Sequence, residues 1–134
     1  MIYFGIVISI ILILIISYFG FFISLKKQKK LSKSQVIEFQ KILKKISTNI
    51  SSKEKIIDAD KLFHKILLSY GYIGTFGEIL KQEPKIISDI DKVWELHKLR
   101  NKLAHDFDLL EERALIKKSK EYILEINNLF KKIS

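Results

Sequence analysis

The sequence predicts an all-α protein, with an N-terminal transmembrane helix followed by a small antiparallel helical bundle. A long uncharged apolar run lies at the N-terminus, apolar residues recur at helical spacing further on, and no segment alternates apolar and polar residues as a half-buried strand does. One proline and five glycines favour long regular elements. The chain has no cysteine, which excludes disulfides, a thiolate nucleophile and a cysteine-based zinc site.

The N-terminal segment from Ile2 to Leu25 contains no charged residue. A helix of this length is about 36 Å long, enough to span a hydrocarbon core of about 30 Å with some tilt. A cleaved secretory signal is the alternative, but no basic residue precedes the run and no small-residue cleavage site follows it. A buried core helix is a second alternative, although a small domain cannot surround a helix that is apolar on all sides. We therefore assign residues 1–25 to a transmembrane helix.

Four lysines follow this run directly: Lys26, Lys27, Lys29 and Lys30. Positive charge beside a span favours the cytoplasmic side of the membrane. The sequence thus predicts a single-pass protein of the cell membrane with its C-terminal domain in the cytoplasm. The predicted partner is membrane lipid, contacted through residues 2–25 and through the flanking lysines, which would lie among anionic headgroups.

Residues 26–53 form a basic juxtamembrane segment and linker with nine lysines and one acidic residue. Between Ser34 and Ile46 apolar residues recur at helical spacing and lysines take the other positions, which predicts an amphipathic helix. This helix either lies on the inner membrane surface or packs its apolar side on the domain or on a second copy. Polar residues 48–52 break the pattern, and we place the domain boundary there.

Residues 54–134 are predicted to form the helical-bundle domain, with three long helices and one short helix. Ser52 is placed to cap the first long helix and Gly71 to end it. Thr75 and Glu78 form a capping-box pattern at the start of the short helix, which is expected to run to about residue 82.

The second long helix is predicted to begin at residues 88–91 and the last at a cap signature in residues 108–111. Fifteen basic and fourteen acidic residues make the domain almost neutral, which argues against a wholly basic nucleic-acid-binding domain. A core of this size is marginal alone, so we expect a homodimer.

The region of residues 94–108 contains two of the three histidines and one of the only two arginines. On a helix, His97, Asn101 and His105 lie at i, i+4 and i+8 on one face. Arg100 precedes His105 by five residues, about 140° around the axis, so the two do not point together unless the helix ends near His105. Two chains related by a two-fold axis could bring both groups into one cleft. Histidine exchanges protons near neutral pH and arginine binds phosphate bidentately, which suits metal-free acid–base cleavage of RNA.

The segment Arg100-Asn-Lys-Leu-Ala-His105 resembles the Arg-x4–6-His motif of HEPN domains. These are small all-α bundles, commonly dimeric, and many are metal-independent endoribonucleases of toxin–antitoxin and defence systems. The layout of residues 54–134 is also similar to small membrane-anchored bacterial-type helical proteins with a Lys-x-Arg-Asn-x-x-Ala-His segment. The resemblance implies RNA as the substrate, with Arg100 on the phosphate, His105 as acid or base and Asn101 as a positioning group.

A non-catalytic interpretation of the same residues stays open. Arg100 would pair with Glu111 or Glu112 of the last helix, His105 would bind terminal carbonyls of its own helix, and Asn101 would bridge two helices. The protein would then be a membrane-tethered helical interaction or scaffold module that binds a protein partner.

Other kinds of site are disfavoured by the sequence. A zinc site from His97, His105 and Asp106 would need two histidines eight residues apart on one helix, which is too far for one ion. His64 is interpreted as a residue flanking the apolar stripe, without a role. No glycine-rich nucleotide loop or serine nucleophile motif is present. We therefore predict no metal and no cofactor.

Overall fold

The computed structural model describes residues 2–25, 30–105 and 110–133. These residues form six helices and contain no strand, which confirms the all-α class. In chain order the helices are α1 (Ile2–Leu25), α2 (Lys33–Ser47), α3 (Ser52–Tyr70), α4 (Phe76–Leu80), α5 (Ile90–His105) and α6 (Glu112–Ile133). Helices α3, α5 and α6 are the three long helices that the domain was predicted to contain, and α4 is the short one.

Helix α1 coincides with the uncharged N-terminal segment. Its described side chains, those of residues 5–18, are all exposed. Over the part of the chain that the structure describes, no helix is both long enough and apolar enough to cross a membrane. The helical conformation of the segment is confirmed, and its insertion in a membrane stays a prediction.

Helix α2 begins with a capping box, in which Ser32 accepts a hydrogen bond from the backbone N–H of Gln35 and the Gln35 side chain accepts one in return. Its apolar side is buried at Phe39, Leu43 and Ile46, which belong to the same hydrophobic core as the helices that follow. Helix α2 packs on α3 and α6. Of the two alternatives for this helix, the structure therefore shows packing on the domain, and the core extends across the boundary predicted at residues 48–52.

Helix α3 is the central helix of the bundle and packs against α2, α5 and α6. Ser51 caps it by accepting from the backbone N–H of Glu54, one residue before the predicted cap at Ser52. Gly71 ends it in the left-handed conformation with φ of 111°, as predicted, because glycine adopts this conformation without steric cost. Ala59, Phe63, Ile66 and Leu67 are completely buried on its inner side.

The remaining helices begin close to their predicted positions. Thr75 and Glu78 form the predicted capping box of α4. Asp89 accepts a hydrogen bond from the backbone N–H of Lys92 at the start of α5. The cap predicted at residues 108–111 for α6 falls partly on residues 106–109, which lie outside the described residues. Helix α6 packs mainly on α3, and this packing brings α3, α5 and α6 together around one buried carboxylate.

Candidate functional site

The candidate site is centred on Asp60 of α3. This carboxylate is 4% exposed, so its charge has little access to water and needs partners inside the protein. Tyr122 of α6 donates its hydroxyl proton to Oδ1 of Asp60 over 2.6 Å. Burial and then the neighbouring carboxylate raise the pKa of Tyr122 well above its ordinary value, so the phenol remains a proton donor.

His97 of α5 is the second partner of Asp60. Its Nδ1 lies 2.7 Å from Oδ1, and its side chain is 12% exposed. Phe76 of α4 contacts the imidazole edge-on, with ring centroids 4.8 Å apart, and Trp94 lies one turn earlier on α5 with its centroid at 6.1 Å. The imidazole is therefore held in one orientation by a charged acceptor and by two aromatic rings.

Arg100 is the third partner of Asp60. Its Nε is buried and lies 3.5 Å from Oδ2 of Asp60, which makes an ion pair but no hydrogen bond. The side chain is 28% exposed, and its Nη1 donates to Oδ1 of Asn101 over 3.0 Å. One edge of the guanidinium thus faces a buried negative charge, while the other reaches an exposed amide.

Asn101 closes a ring of polar contacts through its amide nitrogen, which lies 3.3 Å from Nε2 of His97. The direction of each hydrogen bond follows from Arg100, because a guanidinium only donates. The Asn101 oxygen must accept from Arg100, so the Asn101 nitrogen donates to Nε2 of His97. Nε2 is therefore the unprotonated nitrogen, and Nδ1 carries the proton that His97 donates to Asp60.

His105 lies outside this ring. It is the last residue of α5 and is exposed. Because α5 remains helical through this residue, Arg100 and His105 are separated by about 140° around the axis. One protomer thus brings together two of the predicted site residues, Arg100 and Asn101, and leaves His105 on another side of the helix.

The contacts predicted for a non-catalytic segment differ in detail from those observed. The prediction that Arg100 pairs with Glu111 or Glu112 is wrong, because Arg100 pairs with Asp60, and Glu112 accepts a hydrogen bond from Ser52 over 2.7 Å. Both hydrogen bonds of the Asn101 side chain stay within α5, so it does not bridge two helices.

The remaining histidine and the zinc alternative have simple outcomes. His64 lies 3.0 Å from the carbonyl oxygen of Gly74 through Nε2 and stacks on Phe76, which gives it a structural contact. Among the described residues, no three histidine or acidic side chains are grouped closely enough to hold a metal ion. Asp106, named for the zinc alternative, lies outside them.

Sequence reasoning missed Asp60 and Tyr122. The available signal was an acidic residue next to the apolar stripe of α3, between Ala59 and Leu62, since a carboxylate at a core position requires partners. His97 was noticed for its spacing alone. Its role beside Asp60 depends on a contact across 37 positions of the chain.

Comparison with known proteins adds no relative. No family model matches this chain, and neither the curated proteins nor the solved structures gave a match.

Proposed function

We propose that this protein is a membrane-anchored HEPN-like domain that cleaves RNA without a metal ion. Arg100 and Asn101 bind the phosphate of the RNA backbone, and His105 exchanges a proton during cleavage. The observation that carries the proposal is the ion pair between Arg100 and buried Asp60. It fixes the guanidinium in place and leaves it partly exposed beside an exposed amide.

A fixed and partly exposed guanidinium is suited to binding a phosphodiester. Arginine stays charged and presents two parallel N–H groups to phosphate oxygens. Pre-orientation by Asp60 reduces the conformational entropy that the side chain would lose on binding. The chain has 22 lysines and two arginines, so a guanidinium at this position is not a generic positive charge.

The proposal requires two copies of the chain. Because His105 lies about 140° around α5 from Arg100, its imidazole reaches a phosphate held by Arg100 only from a second copy. A homodimer with a two-fold axis would place each Arg100 near the other copy's His105.

The proposed location is the inner surface of the cell membrane. It is supported by the 24 uncharged residues of α1, whose described side chains are exposed, and by the lysines that follow them. Lipid would cover this apolar surface, and the lysines would keep the bundle in the cytoplasm.

A second candidate function is a non-catalytic, membrane-tethered interaction module. One observation favours it: the contacts of Asp60, His97, Arg100 and Asn101 form a closed ring inside one protomer, which would stabilise the bundle without any substrate. The net charge of residues 54–134 is only +1, which is weak for binding RNA.

RNA cleavage by the full chain in detergent separates the two functions. We expect the wild type to cleave single-stranded RNA in the presence of EDTA. Arg100→Ala and His105→Gln should each lower the rate about 100-fold or more, which is the usual size of a lost acid–base or phosphate-binding group. Arg113→Ala is the matched control, because it removes the only other arginine, which is exposed at the start of α6.

Wild-type cleavage rates in both Arg100→Ala and His105→Gln, with helical circular dichroism retained, would contradict the ribonuclease proposal. Absence of cleavage by the wild type, together with a lowered melting temperature in Arg100→Ala alone, would favour the interaction module.

A further inference from the structure

The polar ring around Asp60 places a second acid–base group beside Arg100 that the predicted motif does not include. His97 lies one turn before Arg100 and Asn101 on α5 and shares Asp60 with Arg100. Its Nδ1 carries the proton donated to Asp60, so the lone pair of Nε2 faces away from the carboxylate towards exposed Asn101. A carboxylate that accepts from one imidazole nitrogen raises the basicity of the other and fixes its direction.

The geometry points to His97 as the general base of RNA cleavage, with Nε2 taking the proton of the 2′-hydroxyl next to the phosphate held by Arg100. This inference rests on the ribonuclease function proposed above. It assigns the base to the same protomer as Arg100 and leaves His105 of a second copy as the acid.

The proton and electron balance of the step needs no further reactant. Nε2 of His97 accepts the 2′-hydroxyl proton while the 2′-oxygen forms a bond to phosphorus. The bond between phosphorus and the 5′-oxygen breaks, and that oxygen takes its proton from the imidazolium of His105. The products are a 2′,3′-cyclic phosphate and a free 5′-hydroxyl, and the two histidines exchange their protons with water before the next turnover.

Access to Nε2 is provided by an exposed amide and by a glycine. The contact between Asn101 and Nε2 is long, at 3.3 Å, and Asn101 is exposed, so a hydroxyl can replace the amide at Nε2. Gly77 of α4 borders the same nitrogen: a Cβ at this position would lie 3.8 Å from Nε2 of His97 and 3.8 Å from Cη2 of Trp94. These are ordinary contact distances, so an alanine fits in the free protein and occupies space that a substrate hydroxyl would need.

The inference is tested with two variants and a matched histidine control, all in the full chain in detergent. His97→Gln removes the base, and Gly77→Ala blocks the approach to Nε2 without removing any polar group. His64→Gln is the control, because His64 contacts the same Phe76 ring but lies outside the polar ring.

We expect His97→Gln to lower kcat about 100-fold or more and to leave KM within about threefold, because the base acts on the reacting proton rather than on phosphate binding. Gly77→Ala should lower kcat at least tenfold while the melting temperature stays equal or rises, and His64→Gln should cleave at the wild-type rate. Binding of the 2′-deoxy analogue of the RNA should be unchanged in His97→Gln.

Two further measurements make failure of the inference distinct from failure of the proposed function. Wild-type kcat in both His97→Gln and Gly77→Ala, with His105→Gln inactive, would overturn the assignment of the base and leave the ribonuclease function intact. Nitrogen-15 shifts of His97 that show the proton on Nε2 would overturn it as well. No cleavage by the wild type would overturn the function and the inference together.

Discussion

At the scale of single residues, Asp60 is the group on which the other site residues depend. Its oxygens contact Tyr122, His97 and Arg100, which belong to α6 and α5, so one carboxylate joins three helices. Removing a partner from such a buried group leaves the others with unpaired charge or hydrogen-bonding capacity, which costs more than the contact itself contributes.

We expect Asp60→Asn to lower the free energy of unfolding by about 2–3 kcal/mol, because the half-buried guanidinium of Arg100 then lacks a counter-charge. Asp58→Asn on the same helix is the control: Asp58 pairs only with exposed Lys61 over 3.3 Å, and its loss should cost less than about 1 kcal/mol. Urea unfolding followed by circular dichroism measures both. Equal midpoints for the two variants would show that Asp60 does not organise the bundle.

Residue-scale contacts were the least accessible from the sequence. The spacing of His97, Asn101 and His105 correctly placed the first two within hydrogen-bonding reach on one face of α5. The pairing of Arg100 was predicted with the wrong acid, since the sequence offers fourteen acidic residues in this part and does not show which one lies across the bundle. The partner is 40 positions away and is buried, so only the packing of α5 on α3 determines it.

At the scale of elements, α5 and α6 are joined by a surface ion-pair network. Lys118 of α6 donates to Glu95 of α5 and, over 3.0 Å, to Glu121, while Lys92 of α5 donates to Glu95 over 2.9 Å. Hydrogen bonds from Lys118 and then Lys92 lower the pKa of Glu95 to about 2. The charged form of Glu95 is thus stabilised in the folded state.

This shift predicts a dependence of stability on pH. Because the folded-state pKa of Glu95 lies below its ordinary value of 4.5, the network stabilises the fold fully above about pH 5 and loses its effect as the pH falls towards 2. We expect Glu95→Gln to unfold at a lower temperature than the wild type at pH 6, by a margin equivalent to about 0.2–1 kcal/mol. The margin should shrink by pH 3.

Salt provides the control for the Glu95 prediction. The margin between wild type and Glu95→Gln at pH 6 should fall in 1 M NaCl, because Glu95 is half-exposed and its ion pairs are screened. A margin that is the same at pH 6 and pH 3 would show that Glu95 contributes through packing and not through its charge.

The helices themselves were predicted well because their ends are encoded locally. Gly71 and the capping box of Thr75 and Glu78 act within four residues, so a short window of sequence contains the whole signal. The place of α2 could not be predicted in the same way. Its apolar stripe is equally suited to a membrane surface, a second copy or the bundle, and only the complementary surfaces of α3 and α6 decide the outcome.

At the scale of the whole molecule, the bundle and α1 differ in how their apolar side chains are covered. The bundle buries its apolar residues in one core from Phe39 to Ile133. In α1 the described apolar side chains are exposed, including Ile11 at 52% and Leu14 at 63%. A continuous apolar surface of this kind is rare on a free protein and requires cover from lipid or from another chain.

We expect the full chain to sediment with membranes after washing with 1 M NaCl and with alkaline carbonate, and to be released only by detergent, because α1 is proposed to span the bilayer. Replacing Ile11 and Leu14 with arginine should move most of the protein to the soluble fraction, since each arginine near the bilayer centre costs about 2.5–3.5 kcal/mol. Replacing Ile37 and Leu68, exposed apolar residues of the bundle, with arginine is the matched control and should leave the protein in the membrane.

The same fractions distinguish lipid from a second copy as the cover of α1. If α1 instead packs on another α1 in water, the wild type will remain soluble after cell lysis and elute as an oligomer without detergent. The double arginine variant of α1 will then elute as a smaller species. That result would reject the membrane anchor and leave the cleavage experiments on Arg100 and His97 unaffected, because those residues lie in the bundle and make no described contact with α1.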